Sequence, residues 1–118
     1  MDRTDDALTT DNYKRIVREI MDDYAREYPE WGKGAKTELI KDDAGGHYQI
    51  WHIGWEKWKR IHYCVLHINV KDGKIWVQHD GIYEGITDKL LAAGVPHKSI
   101  VIGFHAPEER KHTPFALA

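Results

Sequence analysis

Histidine has the widest chemical range of the residue types in this chain, because an imidazole can bind a metal ion or transfer a proton near neutral pH. The chain contains eight histidines and a single cysteine, Cys64, in 118 residues. Their spacing matches neither the HExxH helix pair nor the paired CxxC motifs of zinc sites. Cys64 lies in an apolar strand pattern, which is typical of a small core residue. The sequence therefore predicts no metal site and no cofactor.

Catalysis by a base and a carboxylate would depend on His67 and Asp80, which the predicted strands bring together diagonally. Such a pair is far more often a surface hydrogen bond than a catalytic one. No GxxxxGK[ST] loop is present, and the carboxylates that could hold the divalent ions of a nuclease are dispersed over separate elements: Glu38, Asp42, Asp43, Asp80 and Glu84. We predict no catalytic residue and no enzyme. A small hydrolase or nuclease that uses His67 and Asp80 is the weakest alternative.

Nucleic-acid binding would depend on Lys57, Lys59 and Arg60, which surround Trp58 and so mix cations with an aromatic ring. The formal net charge is -2 and the pI is about 6.4, whereas proteins that bind phosphate backbones usually carry a basic surplus on one face. A solvated hairpin tip is the simpler interpretation. DNA binding through these three cations remains an alternative function.

Aromatic residues are the more informative group. The chain has five Trp and six Tyr, residue types that favour interface cores, where one end of the side chain is buried and the other makes a hydrogen bond. A domain of this size cannot bury all of them. We expect some to face a partner or a second copy of the chain.

The elements that position these residues begin with a helix from Thr10 or Asp11 to Tyr28, because apolar residues recur there at helical spacing and Pro29 follows. A loop at 30–35 leads to strands at 36–42, 47–55 and 60–71. A short helix near 82–93 and a last strand at 99–104 follow.

Asp72-Gly73 is a strong signal for a two-residue hairpin turn, after which a further strand starting at Lys74 pairs back on the strand at 60–71. In that register Asn69 pairs with Trp76, and strand alternation gathers polar and aromatic side chains on the face opposite the apolar one. The predicted interaction face comprises Tyr63, His67, Trp76, Gln78 and Asp80.

We therefore predict a single α+β domain with a mainly antiparallel sheet of about five strands and two helices packed on it. Residues 11–118 form this domain, and residues 1–10 form an acidic leader whose composition is compatible with disorder. No apolar run is long enough to span a bilayer and no signal peptide is apparent, so a cytoplasmic location is expected.

Several short blocks resemble the XisI family. They are DGKIWVQHDG at 72–81, EGI at 84–86, AGVP at 93–96, IGFH at 102–105, HYQ at 47–49, GW at 54–55, RIH at 60–62 and TPFA at 113–116. The resemblance extends over nearly all of 11–118. It implies a role in cyanobacterial DNA rearrangement, since XisI-type proteins are controlling factors for excision of the fdxN element, acting with the recombinase XisF and the companion XisH.

The resemblance assigns no catalytic residue. It implies a non-enzymatic accessory protein that contacts an XisH-like companion, an XisF-type recombinase or both. Self-association of the domain stays open.

Overall fold

The computed structural model describes residues 3–118, with side chains from residue 9 onward. In chain order the elements are α1 (Arg3–Glu27), β1 (Glu30–Trp31), β2 (Ala35–Asp42), β3 (His47–Glu56), β4 (Lys59–Lys71), β5 (Lys74–Asp80), α2 (Ile86–Ala92), β6 (Ile100–Ile102) and α3 (Pro107–Arg110). A 3-10 turn at His97–Ser99 precedes β6. Over the described residues, no helix is both long and apolar enough to cross a membrane.

Helix α1 begins at Arg3, so the prediction of a start capped by Thr10 or Asp11 is wrong. The Thr10 hydroxyl instead accepts a hydrogen bond of 2.7 Å from the backbone N–H of Gly73, which ties α1 to the turn between β4 and β5. Of the predicted leader, residues 1 and 2 lie outside the described residues, and residues 3–10 belong to α1.

The sheet has six strands in the order β1-β2-β3-β4-β5-β6, and only the pairing of β5 with β6 is parallel. The strand beyond the predicted five is β1, which pairs with the start of β2 where a loop was expected. The prediction of one α+β domain with a mainly antiparallel sheet is confirmed.

Helices α1 and α2 pack on the same face of the sheet. Val17 and Met21 from α1 and Ile86 and Leu90 from α2 are fully buried there. The sheet supplies Tyr48, Ile50, Leu66, Ile68, Val70, Ile75, Val77, Ile100 and Ile102. Full burial of one such aliphatic side chain stabilises the fold by roughly 1.5–3 kcal/mol, so this face carries most of the stability.

The turn at Asp72 and Gly73 adopts positive φ at both residues, 52° and 72°, as a two-residue hairpin requires. The first pairs after it, including Asn69 with Trp76, agree with the predicted register. A β-bulge then shifts the register between His67 and Ile68, and Gln78 is the extra residue.

A second bulge lies between β3 and β4, where Val65 is the extra residue. Val65 and Leu66 are adjacent, yet both are buried in the core, which strict alternation forbids. The bulge resolves this conflict. It also means that Tyr48 pairs with Ile68, whereas a β3–β4 hairpin without a bulge would pair it with His67.

Candidate interaction site

The side of the sheet opposite α1 and α2 is here called the open face. Its central part is formed by β3, β4 and β5. The polar and aromatic side chains on it include His47, Gln49, Trp51, His62, His67, Trp76, Gln78 and His79. Six of these eight are half-buried, whereas His62 and His79 are exposed.

Two imidazoles form the centre of the open face. His47 Nδ1 lies 3.0 Å from His67 Nε2, so one ring donates a hydrogen bond and the other accepts it. Burial is the main cause that lowers the pKa of His67, and the neighbouring His47 and His79 lower it further. We therefore expect a neutral His67 at pH 7, which suits a contact surface from which water is removed on binding.

Trp76 pairs with Asn69, which in turn pairs with His47, and two cations flank its ring. The Lys71 ammonium is 5.0 Å and the Arg110 guanidinium 5.4 Å from the centroid of its ring. Arg110 belongs to the C-terminal segment, which it fixes by donating to the backbone carbonyls of Gly103, His105 and Leu117. The segment also pairs with β6 through Ala116 and Val101, so it follows the β6 edge of the sheet while Arg110 reaches over Trp76.

Of the five predicted face residues, His67, Trp76 and Gln78 do share the open face. Gln78 sits at the bulge, with its amide oxygen close to Gly103, where a Cβ atom would come within 2.7 Å of it. The side chain of Gln78 is therefore fixed against the end of β6.

The placement of Tyr63 and Asp80 on that face is wrong. Each bulge inserts one residue, which turns the following positions to the opposite side. The Tyr63 hydroxyl lies 3.1 Å from Nδ1 of His52, on the helix-covered side. Asp80 pairs with buried Leu66 instead of Val65.

Asp80 has a structural role. Its carboxylate accepts hydrogen bonds from the backbone N–H groups of Ile82 (3.1 Å) and Ile86 (2.9 Å), the latter being the first residue of α2. A carboxylate at a helix N-terminus satisfies unpaired donors and complements the helix dipole. Because Asp80 and His67 lie on opposite faces, the predicted base and carboxylate pair does not form.

The cations Lys57, Lys59 and Arg60 lie at the tip of the β3–β4 hairpin. Lys57 is in the turn with φ 54°, and the adjacent Trp58 is 94% exposed. The Arg60 guanidinium stacks 5.4 Å from the centroid of the Trp55 ring. Arg60 lies nine positions before Asn69, the partner of Trp76, along β4, so the tip is about 30 Å from Trp76.

Sequence reasoning missed His47, Gln49 and Trp51 as neighbours of His67. On this part of the open face, Trp51 Nε1 donates to Gln49 Oε1 at 2.8 Å and packs on His62 with ring centroids 5.0 Å apart. The available signal was the adjacent apolar pair at 65–66, which marks a bulge in an otherwise alternating strand.

Among the side chains of residues 9–118, no group of three or more His, Cys, Asp or Glu is arranged to hold a metal ion. The single thiol, Cys64, is half-buried, and burial raises its pKa, so it is a poor nucleophile at neutral pH. What the open face offers chemically is hydrogen bonding and aromatic contact.

The chain is similar to known proteins in both sequence and fold. The family model described as "XisI protein" matches residues 7–117. A crystal structure of a XisI-like protein from Anabaena variabilis is 33% identical, with a TM-score of 0.86 over 92% of this chain and 99% of that one. A second crystal structure from Anabaena variabilis, described as fdxN element excision controlling factor XisI, is 31% identical, with a TM-score of 0.80 over 93% and 99% of the two chains. No curated protein matches the chain.

Proposed function

Since this chain belongs to the XisI family, we propose that it is a non-enzymatic accessory protein that controls site-specific excision of a DNA element. The description of a similar Anabaena variabilis protein as an excision controlling factor supports a regulatory role. Among the side chains of residues 9–118, no carboxylate hydrogen-bonds to His67, which agrees with a role without catalysis.

The controlling contact is with an XisH-like companion, an XisF-type recombinase or both, through the open face. The observation that carries this proposal is that His47, His67, Trp51 and Trp76 share one sheet surface, on which neither α1 nor α2 packs. Tryptophan is enriched at binding hot spots, and neutral imidazoles lose less hydration than charged groups when they are buried. The placement of these side chains on the sheet keeps them in a fixed arrangement before binding, which lowers the entropic cost of association.

Co-purification tests the proposal. We expect Trp76→Ala to weaken binding of the XisH-like companion by at least about tenfold, the size of effect that a hot-spot tryptophan has. Trp58→Ala is the matched control, because it also deletes an indole but lies at the hairpin tip. Thermal unfolding of both variants shows whether the fold is retained.

Unchanged binding of both the companion and the recombinase by a folded Trp76→Ala variant would remove the open face from the proposal. Trp51→Ala gives a second test on β3, which lies three strands away from β6 in the sheet.

One observation favours a second candidate, a DNA-binding subunit. The exposed indole of Trp58 stands among Lys57, Lys59 and Arg60, and exposed aromatic rings beside cations can stack on bases. This function predicts DNA binding that weakens steeply with salt, by a log-log slope of about one per phosphate contact. A gel shift at low salt with no retained complex would refute it.

A further inference from the structure

A cavity of about 380 Å³ lies on the helix-covered side, away from the open face. It opens between the C-terminal turn of α1, β1, the strands β3 and β4, and the loop that leads to α2. Aromatic rings dominate its wall: Tyr24, Tyr28, Trp31, His52, Tyr63 and Tyr83. Part of this aromatic surface is available for a ligand to stack on, since Trp31 and Tyr28 are each 50% exposed.

His52 is the buried polar group of this cavity. It is only 2% exposed, and the Trp31 indole stacks on it with ring centroids 5.0 Å apart and planes 8° from parallel. His52 Nδ1 lies 3.1 Å from the Tyr63 hydroxyl, whereas Nε2 is buried without a hydrogen-bond partner. Burial lowers the pKa of His52, so the ring is neutral at pH 7. If Nδ1–H donates to Tyr63, Nε2 is a free acceptor.

The charges around the cavity are mainly negative. Glu30 and Glu84 line it, against a single cation, Lys89. The Glu27 carboxylate and, least of the causes, that of Glu84 raise the pKa of Tyr28, in keeping with carboxylates near this wall. An anion would meet two carboxylates here, whereas a cation would be attracted by the carboxylates and by the faces of the rings.

We propose that this cavity binds a guanidinium group on a flexible alkyl stem. A flat guanidinium stacks on aromatic rings, and its several N–H donors can reach both an acceptor nitrogen on His52 and the carboxylates at the rim. An ammonium group is a point charge without a stacking surface and matches this wall less well. The source is either an arginine side chain of a polypeptide or a free alkylguanidinium.

The experiment titrates the full chain with three probes while the backbone amide signals are followed by NMR. The probes are an acetylated and amidated Gly-Arg-Gly peptide, agmatine, and the same peptide with citrulline, a neutral isostere of arginine, in place of arginine. We expect the arginine peptide or agmatine to shift signals around Trp31, His52 and Glu84. We expect the citrulline peptide to bind at least about tenfold more weakly, because it lacks the charge. Tighter binding of the arginine peptide than of agmatine identifies a polypeptide source, and the reverse order a free small cation.

Two variants test separately how an aromatic ring and a carboxylate of the cavity wall contribute to binding. Trp31→Ala removes a half-exposed ring from the edge strand β1, and we expect about tenfold weaker binding. Glu84→Gln keeps the shape of the side chain and should weaken binding about threefold, as expected for a partly screened charge. Trp58→Ala, at the distant hairpin tip, should bind as the parent does. No shift with either guanidinium probe, equal binding of the citrulline peptide, or unchanged affinity in both wall variants would overturn the proposal.

Discussion

The two faces of the sheet use alternate residues of the same strands, yet they differ in what those residues do. On the helix-covered face Ile68 is 1% exposed and belongs to the core, whereas the adjacent His67 is half-buried on the open face. Every helical residue that packs on the sheet core comes from α1 or α2. Within one strand, some residues can therefore stabilise the fold while their neighbours are available for recognition. This separation requires a register that places each residue on the correct side of the sheet.

The largest effect is expected from breaking the covered face. Ile68→Ala should lower the free energy of unfolding by about 2–5 kcal/mol, because it leaves a cavity in a fully packed core. His67→Ala, one residue away, should cost about 1 kcal/mol, the net value of the hydrogen bond to His47. Urea denaturation of both variants measures the contrast. Equal losses of unfolding free energy in the two variants would mean that the two faces contribute equally to stability.

An intermediate effect is expected at Asp80, which the structure assigns to the covered face. Asp80→Ala should cost about 1–2 kcal/mol, because two backbone N–H groups near the start of α2 lose their acceptor. Affinity for the XisH-like companion should not change once the variant is folded. If Asp80→Ala kept full stability and abolished companion binding, Asp80 would belong to the contact surface instead.

Local patterns in the sequence predicted much of the fold. The stripe that includes Val17 and Met21 predicted the face of α1, and Asp72-Gly73 predicted the hairpin and its first pairs. The periodicity of the sequence alone could not predict the two bulges, because each depends on which side chains the assembled core buries. At the bulge between β3 and β4, adjacent Val65 and Leu66 must both be buried.

The candidate site depended on those bulges, and so only part of it was predicted correctly. His67, Trp76 and Gln78 lie near the DG turn or between the bulges, and they share the open face. Tyr63 lies beyond one bulge and Asp80 beyond the other, which moved both to the covered side. Whether any of these residues contacts a partner stays a prediction.

A smaller effect is expected for the pKa values of His52 and His67, which are both lowered but for partly different reasons. His52, on the covered face, owes its low pKa to burial, whereas His67 on the open face also has His47 and His79 beside it. NMR titration should therefore give both rings pKa values below 6.5. Combining His47→Gln with His79→Gln should raise the pKa of His67 and leave that of His52 unchanged.

The same shifts predict how stability changes with pH. A histidine whose pKa is lower in the folded than in the unfolded chain favours unfolding when it is protonated. The contribution of His52 and His67 is therefore fully present above their unfolded pKa of about 6.5 and is lost as the pH falls through the folded values. Urea midpoints measured from pH 7.5 down to pH 5 should decrease. A midpoint that rose over this range would contradict the assigned shifts.

The five tryptophans offer the most direct measurement of the central claim, that the open face is the contact surface. Trp51 and Trp76 report on the open face, and Trp55 and Trp58 report on the hairpin tip. In an NMR titration of the labelled chain with the XisH-like companion, we predict that the indole N–H signals of Trp51 and Trp76 shift or broaden, while those of Trp55 and Trp58 stay in place. Unchanged Trp51 and Trp76 signals in a saturated complex would contradict the account.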